Sequence, residues 1–144
     1  MSRKRTFEII LPVHNGYAVL AECLASLEHT LLSDDRLHIV DDASTDDRVV
    51  ALLAEVERRP FCAITVRRNA TNLGFVRTVN EAMARSASDV VLLNSDTIAT
   101  SGWTRRLAEC FGSDPTIATA TPFSNNAEIC SLPVFCRSNP LPDD

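Results

Sequence analysis

Val91-Leu-Leu-Asn-Ser-Asp96-Thr97 is an apolar run that ends abruptly in a carboxylate. A short run of this kind reads as a buried strand whose tip emerges into solvent. A second stretch repeats the design: Leu37-His-Ile-Val40 runs into Asp41-Asp-Ala-Ser-Thr-Asp46. Open parallel sheets bind ligands outside the carboxyl ends of their strands. Two strand tips bearing carboxylates therefore point to a site for a metal-bound, phosphate-bearing ligand.

Around these two stretches the chain alternates strand and helix. Phe7 to Val13 reads as a first strand, closed by the turn residues Asn15-Gly16. A helix is expected over about Tyr17 to Leu32, with Val19, Leu20, Cys23, Leu24, Leu27 and Leu31 on one face. Arg36 to Val40 is the second strand. Ser44 or Asp46 can cap the following helix, whose apolar face is Val49, Val50, Leu52, Leu53 and Val56. Cys62 to Val66 is a third strand. Phe75, Val76, Val79, Ala82 and Met83 mark a third helix, and Asp89 to Leu93 a fourth strand. A short helix is expected from about Ser101 to Phe111, and Ile117 to Ala120 suggests a fifth strand. This rhythm indicates βαβ units and a mostly parallel, Rossmann-like α/β sheet flanked by helices. The expected division is a ligand-binding domain over 1–121 and an irregular tail, or the start of a further part, over 122–144. A sheet ending on an uncovered fifth strand would also point to truncation.

Composition narrows the function. The 144 residues carry a formal net charge of -5, against the basic balance of nucleic-acid binders. No apolar stretch approaches the ~20 residues needed to span a bilayer, and Phe7 to Val13 is too short for a secretory signal. Five cysteines without a C-x-x-C pair fit reduced thiols in a cytoplasmic protein better than a zinc site. The four glycines form neither G-x-G-x-x-G nor G-x-x-x-x-G-K-[ST], so those phosphate cradles are absent.

A phosphate ligand would then need a cation. Asp96 can bind Mg²⁺ or Mn²⁺, which take one or two carboxylates and complete their shell with water and phosphate oxygens. A strand-end aspartate that merely starts a turn is the plain alternative. Asp42, an acceptor when ionised, can take the ring N–H of uracil or thymine. Its plain alternative is turn formation and helix capping. Of the adjacent pair Asp41-Asp42, one carboxylate is expected in the crevice and the other in the turn.

Four ordered blocks carry a resemblance: Ile10-Leu-Pro-Val-His-Asn15, Val40-Asp-Asp-Ala-Ser-Thr-Asp46, Asn72-Leu-Gly-Phe75 with Asn80, and Leu92-Leu-Asn-Ser-Asp-Thr97 with Gly102-Trp103. Together they resemble family 2 glycosyltransferases of GT-A fold, closest to the rhamnosyltransferase-like branch with its Asn-x-Asp variant of the metal-binding D-x-D. The resemblance covers the N-terminal, donor-binding portion of such enzymes. It implies that Pro12, Val13 and His14 wall a nucleotide-sugar pocket, with His14 where the family usually has tyrosine, either stacking on the base or serving as a structural histidine. Asp42 would hold the base, and the loop from Asn72 to Gly74 would help close over it. Asn94 and Ser95 would line the diphosphate end, with Asp96 on the metal. Arg77 is a candidate phosphate contact, set against a solvated helix arginine. Trp103 is expected to pack its helix.

The resemblance implies sugar transfer from a UDP- or dTDP-sugar to the hydroxyl of a glycan, lipid or protein acceptor. No catalytic base is identifiable: Glu128 sits in no matching motif, and Asp143-Asp144 lie in a proline-bounded tail. A non-catalytic nucleotide-sugar-binding module or an inactive fragment is therefore the alternative. Self-association into a homo-oligomer is compatible with the sequence. A phosphoacceptor signalling domain would need a lysine at a later strand tip, yet Lys4 is the only lysine. A sugar nucleotidyltransferase would begin with a glycine- and arginine-rich loop that Leu11-Pro-Val-His-Asn-Gly16 does not provide.

Overall fold

The structure, a computed structural model, describes residues 6–127 and 130–140. Its order is β1 (Glu8–Val13), α1 (Tyr17–Thr30), β2 (Arg36–Asp41), α2 (Asp47–Val56), β3 (Ala63–Arg68), α3 (Phe75–Met83), β4 (Val90–Leu92) and α4 (Trp103–Ser113). The strands form one parallel sheet in the order β3-β2-β1-β4. β1 lies between β2 and β4, and Ile9, Ile10 and Leu11 are fully buried, as expected of a strand covered on both faces. Ile10 joins Val40 and Ala82 of α3 in one cluster, with Met83 and Val90 packed against it. Leu20, Cys23, Leu24 and Leu27 of α1 and Val49, Leu53 and Val56 of α2 bury the helical stripes that the periodicity requires.

The chain divides into two compact units, Met1–Ala108 and Glu109–Asp144. The first holds the whole sheet. In the second, two isolated bridges (Ser124 with Ser131, Asn126 with Ser138) and the buried Asn139 side chain hold an irregular segment together. Among the described residues no helix is long and apolar enough to cross a membrane. All five cysteines are free thiols.

Three expectations need correction. Ile117–Ala120 forms no strand. Asp114 accepts from the Thr116 N–H and hydroxyl, and the Ile117 N–H closes on the Asp114 carbonyl, so the segment starts as a turn. One large apolar side chain in four residues offers little burial to oppose that. Second, Asp46 caps α2 by accepting from the Arg48 N–H, whereas Ser44 does not cap. Its hydroxyl accepts instead from the Asn15 N–H at 2.9 Å. Third, Val19, Val50, Phe75 and Val76 are 45%, 40%, 55% and 69% exposed, not core. Buried Thr78, Val79 and Ala82 make the inner face of α3. The fourth helix begins at Trp103, two residues later than the serine expected to open it.

Candidate functional site

A cavity of about 530 Å³ opens at the carboxyl ends of β1, β2 and β4, within the size range of small-molecule sites. Pro12, Val13 and His14 wall it on the β1 side, Asp42 on the β2 side, and Asn94, Ser95 and Asp96 on the β4 side. Asn15, Gly16, Val19, Phe75 and Thr78 complete the lining. Asn72 and Gly74 do not line it but brace residues that do.

Asp42 is built into its corner. Its backbone N–H extends the ladder to the Val13 carbonyl at 2.7 Å. One carboxylate oxygen accepts from the Leu73 N–H at 2.9 Å and the Asn69 amide at 2.8 Å; the other accepts from the Gly74 N–H at 2.8 Å. Burial by itself would raise its pKa. The donors of Leu73, Asn69, Thr78 and Gly74 outweigh it and hold the carboxyl below its ordinary value. Asp41 turns the other way, accepting from the Ser44 N–H at 2.8 Å and pairing with Arg68. The two carboxylates diverge because successive side chains at the end of an extended strand point to opposite faces; Ala43, which follows them, adopts a left-handed conformation, φ 56°. Gly74 also needs its positive φ of 77°; a Cβ there would meet nothing, so conformation and not space requires the glycine.

His14 locks the loops together. Its Nδ1 lies 2.8 Å from the Asp42 carbonyl, which can only accept, so Nδ1 carries the proton. Nε2 receives the Asn72 and Asn15 side-chain amides at 3.2 and 3.3 Å. Neither amide can flip without loss. The Asn72 oxygen accepts from the Gly74 N–H, and the Asn15 oxygen accepts from the Thr45 and Asp46 N–H groups. Both ring nitrogens are therefore taken by the protein, and only the ring faces remain for a ligand.

The β4 side is assembled differently. The Leu93 N–H continues the ladder to the Ile10 carbonyl, and the Thr97 N–H closes a turn on the Asn94 carbonyl. Beneath it, the Cys23 thiol reaches the Asn94 carbonyl at 3.8 Å, and the Ser26 hydroxyl accepts from the Ala99 N–H at 2.9 Å. Burial, reinforced by the Asp96 charge and opposed by the Thr97 N–H, pushes that thiol up to about 11, so Cys23 is an inert anchor. Asn94 and Asp96 stand exposed on the turn that α1 supports.

As a cation site the cavity offers Asp96, with the neutral oxygens of Asn94 and Ser95 beside it. The described residues hold no group of three His, Cys, Asp or Glu side chains able to bind a metal. This donor set fits Mg²⁺ or Mn²⁺ only where phosphate oxygens supply further ligands. Arg77 is not part of the lining; it pairs with Glu81 on an exposed face of α3. Glu128, Asp143 and Asp144 lie outside the described residues. Asn15, Gly16, Val19, Phe75 and Thr78 are the lining residues that sequence reasoning missed; the periodicity that found the helices assigned Val19 and Phe75 to the core.

Comparison with known proteins fits this geometry. Residues 8–129 match the family described as "Glycosyl transferase family 2", and the chain belongs to that family. Over 92 residues it is 33% identical to the O-antigen biosynthesis protein RfbC of Myxococcus xanthus, covering 63% of this chain and 7% of the relative. Two solved structures share the GT-A fold. S. aureus TarS 1-349 in complex with UDP-GlcNAc superposes with a TM-score of 0.66 at 21% identity, covering 83% of this chain and 38% of that one. The mannosyltransferase PcManGT from Pyrobaculum calidifontis, in complex with GDP-Man and Mn2+, gives 0.68 at 23% identity, covering 81% and 34%. The chain thus spans a small part of the curated relative and about a third of each solved chain.

Proposed function

We propose that this chain is the donor-binding part of a glycosyltransferase, holding a UDP- or dTDP-sugar with Mg²⁺ or Mn²⁺ for transfer to an acceptor hydroxyl. One observation carries the reading: Asp42 and Asp96 line the same cavity from two different strand tips. Asp42 has the placement to accept a base N–H, and Asp96 to ligate a cation under the diphosphate. The first turns of α1 and α3 also border the cavity. The start of α3 already meets the Asp42 carboxylate, whereas α1 has neither a side-chain cap nor an acidic residue in its first turn, which favours an anionic ligand there. Solved relatives in complex with UDP-GlcNAc and with GDP-Man support the ligand class. The free thiols suit a cytoplasmic setting.

When bound, the cation would offset the charge developing on the leaving diphosphate. The chain's own residues orient the donor: the loops joined by His14 and Asn15 fix the base end, and the turn on α1 presents Asp96. Deprotonating the acceptor needs a further base. Asp42 and Asp96, the only acidic residues lining the cavity among the described residues, are committed elsewhere. That favours a second reading for this polypeptide alone, a module that binds the donor without turning it over.

Calorimetric titration with UDP, dTDP and GDP, with and without Mn²⁺, tests the proposal. Binding should be strengthened by Mn²⁺ in the wild type, and Asp96→Ala should abolish that dependence. Tight binding indifferent to metal in both proteins would overturn the role of Asp96. Nucleotide binding without sugar transfer would favour the binding-module reading.

A further inference from the structure

Phe75 is the anomaly of the cavity. It is 55% exposed, lines the cavity and opens α3 directly after the loop that binds the buried Asp42 carboxylate. Its position is fixed from both sides. The Leu73 and Gly74 N–H groups are bonded to Asp42, and one turn later the Thr78 N–H closes on the Gly74 carbonyl while the Thr78 hydroxyl accepts from Asn69. The ring therefore lines the cavity at the end where Asp42 stands, close in the chain to the loop that Asp42 holds. The cation candidate Asp96 sits on the tip of β4, with β1 between it and β2.

We infer that Phe75 is a ligand-contacting residue that stacks on the nucleobase and contributes affinity independently of the metal. The inference rests on the donor-site reading above. An aromatic face at the Asp42 end meets the flat base, while the phosphates extend towards Asp96. Stacking is tolerant of base identity, because every base has a π-face. Phe75 thus supplies affinity for the base as a class, and Asp42 supplies a hydrogen-bond acceptor.

The test is titration of the full chain and of Phe75→Ala and Phe75→Trp with UDP, dTDP, GDP and inorganic pyrophosphate, each with and without Mn²⁺. For every nucleotide that the wild type binds, F75A should weaken affinity by roughly tenfold, within the range of base–aromatic stacking, and F75W should restore it. The ratio of affinities with and without Mn²⁺ should stay constant, and pyrophosphate binding should not change. Unaltered nucleotide affinity in F75A overturns the inference while leaving the donor site standing. Equal loss of pyrophosphate binding overturns it too, by showing that the loop and not the ring was affected. A wild type that binds no nucleotide removes the donor-site reading and this inference together.

Discussion

Asp42 and Asp96 face the same cavity from opposite circumstances. Asp42 is 4% exposed and its carboxylate is already surrounded by donors from Asn69, Leu73 and Gly74. Asp96 stands exposed on a turn whose anchoring, through Cys23 and Ser26, involves other residues of that turn. One end of the site is finished before any ligand arrives, and the other has its charge free for a ligand to complete. The same residue type is therefore fixed in advance by the fold at one end and left for the ligand to complete at the other.

Truncation separates the two most sharply. Asp42→Ala unpairs the Leu73 N–H and one hydrogen of the buried Asn69 amide, while the Gly74 N–H keeps the Asn72 oxygen, and should cost about 2 kcal/mol of unfolding free energy, read from urea denaturation. Asp96→Ala should stay within about 0.5 kcal/mol of wild type, as a surface change does. Equal losses at the two positions would erase the contrast.

Acid should reveal the same asymmetry. The Asp42 carboxyl is held below its ordinary value of about 3.9, so the unfolded chain takes up its proton first as pH falls. Its contribution is complete above that ordinary value and is lost as pH drops through the lower, folded one. Asp42→Asn should lack this share of the acid loss, which urea midpoints followed down through the carboxylate range would report.

Smaller effects follow at the edges of the corner. Ala43 adopts a left-handed conformation that costs an L-residue about 1 kcal/mol, so Ala43→Gly should raise stability by up to that amount. A neutral or destabilising result would mean that backbone entropy outweighs the relieved strain. Last, the exposed Arg77–Glu81 pair should be worth about 0.3 kcal/mol. Arg77→Ala should leave nucleotide affinity unchanged, and a clear loss would restore Arg77 as a phosphate contact.

Much of this architecture was legible in the residues. The apolar runs ending at Asp41 and Asp96 announced strand tips, but only the first is a buried strand; β4 is an edge strand of the sheet and its Leu92 is exposed. Helical spacing found α1, α2 and α3, but it reports a face and not a height along the sheet. Val19 and Phe75, each in the first turn of a helix at the sheet's open end, were therefore assigned to the interior that their later turns occupy. Ser44 and Asp46 are equivalent cap formers by type. Only Asn15, distant in sequence, decides between them. Ala43 gave no warning of its left-handed backbone, since the residue type argues against it. Ile117–Ala120 has a short β-like pattern, but the turn that Asp114 makes with Thr116 and Ile117 overrides it.

Asn15 has a consequence for how the protein meets its ligand. From a left-handed position, φ 60°, its side chain accepts the Thr45 and Asp46 N–H groups while its own N–H is held by Ser44. This cross-brace makes two separate surface loops behave as one rigid rim. The Thr45 and Asp46 amides should then exchange with deuterium far more slowly than their neighbours at the water-facing edge, and the mouth of the site should keep its width whether empty or full.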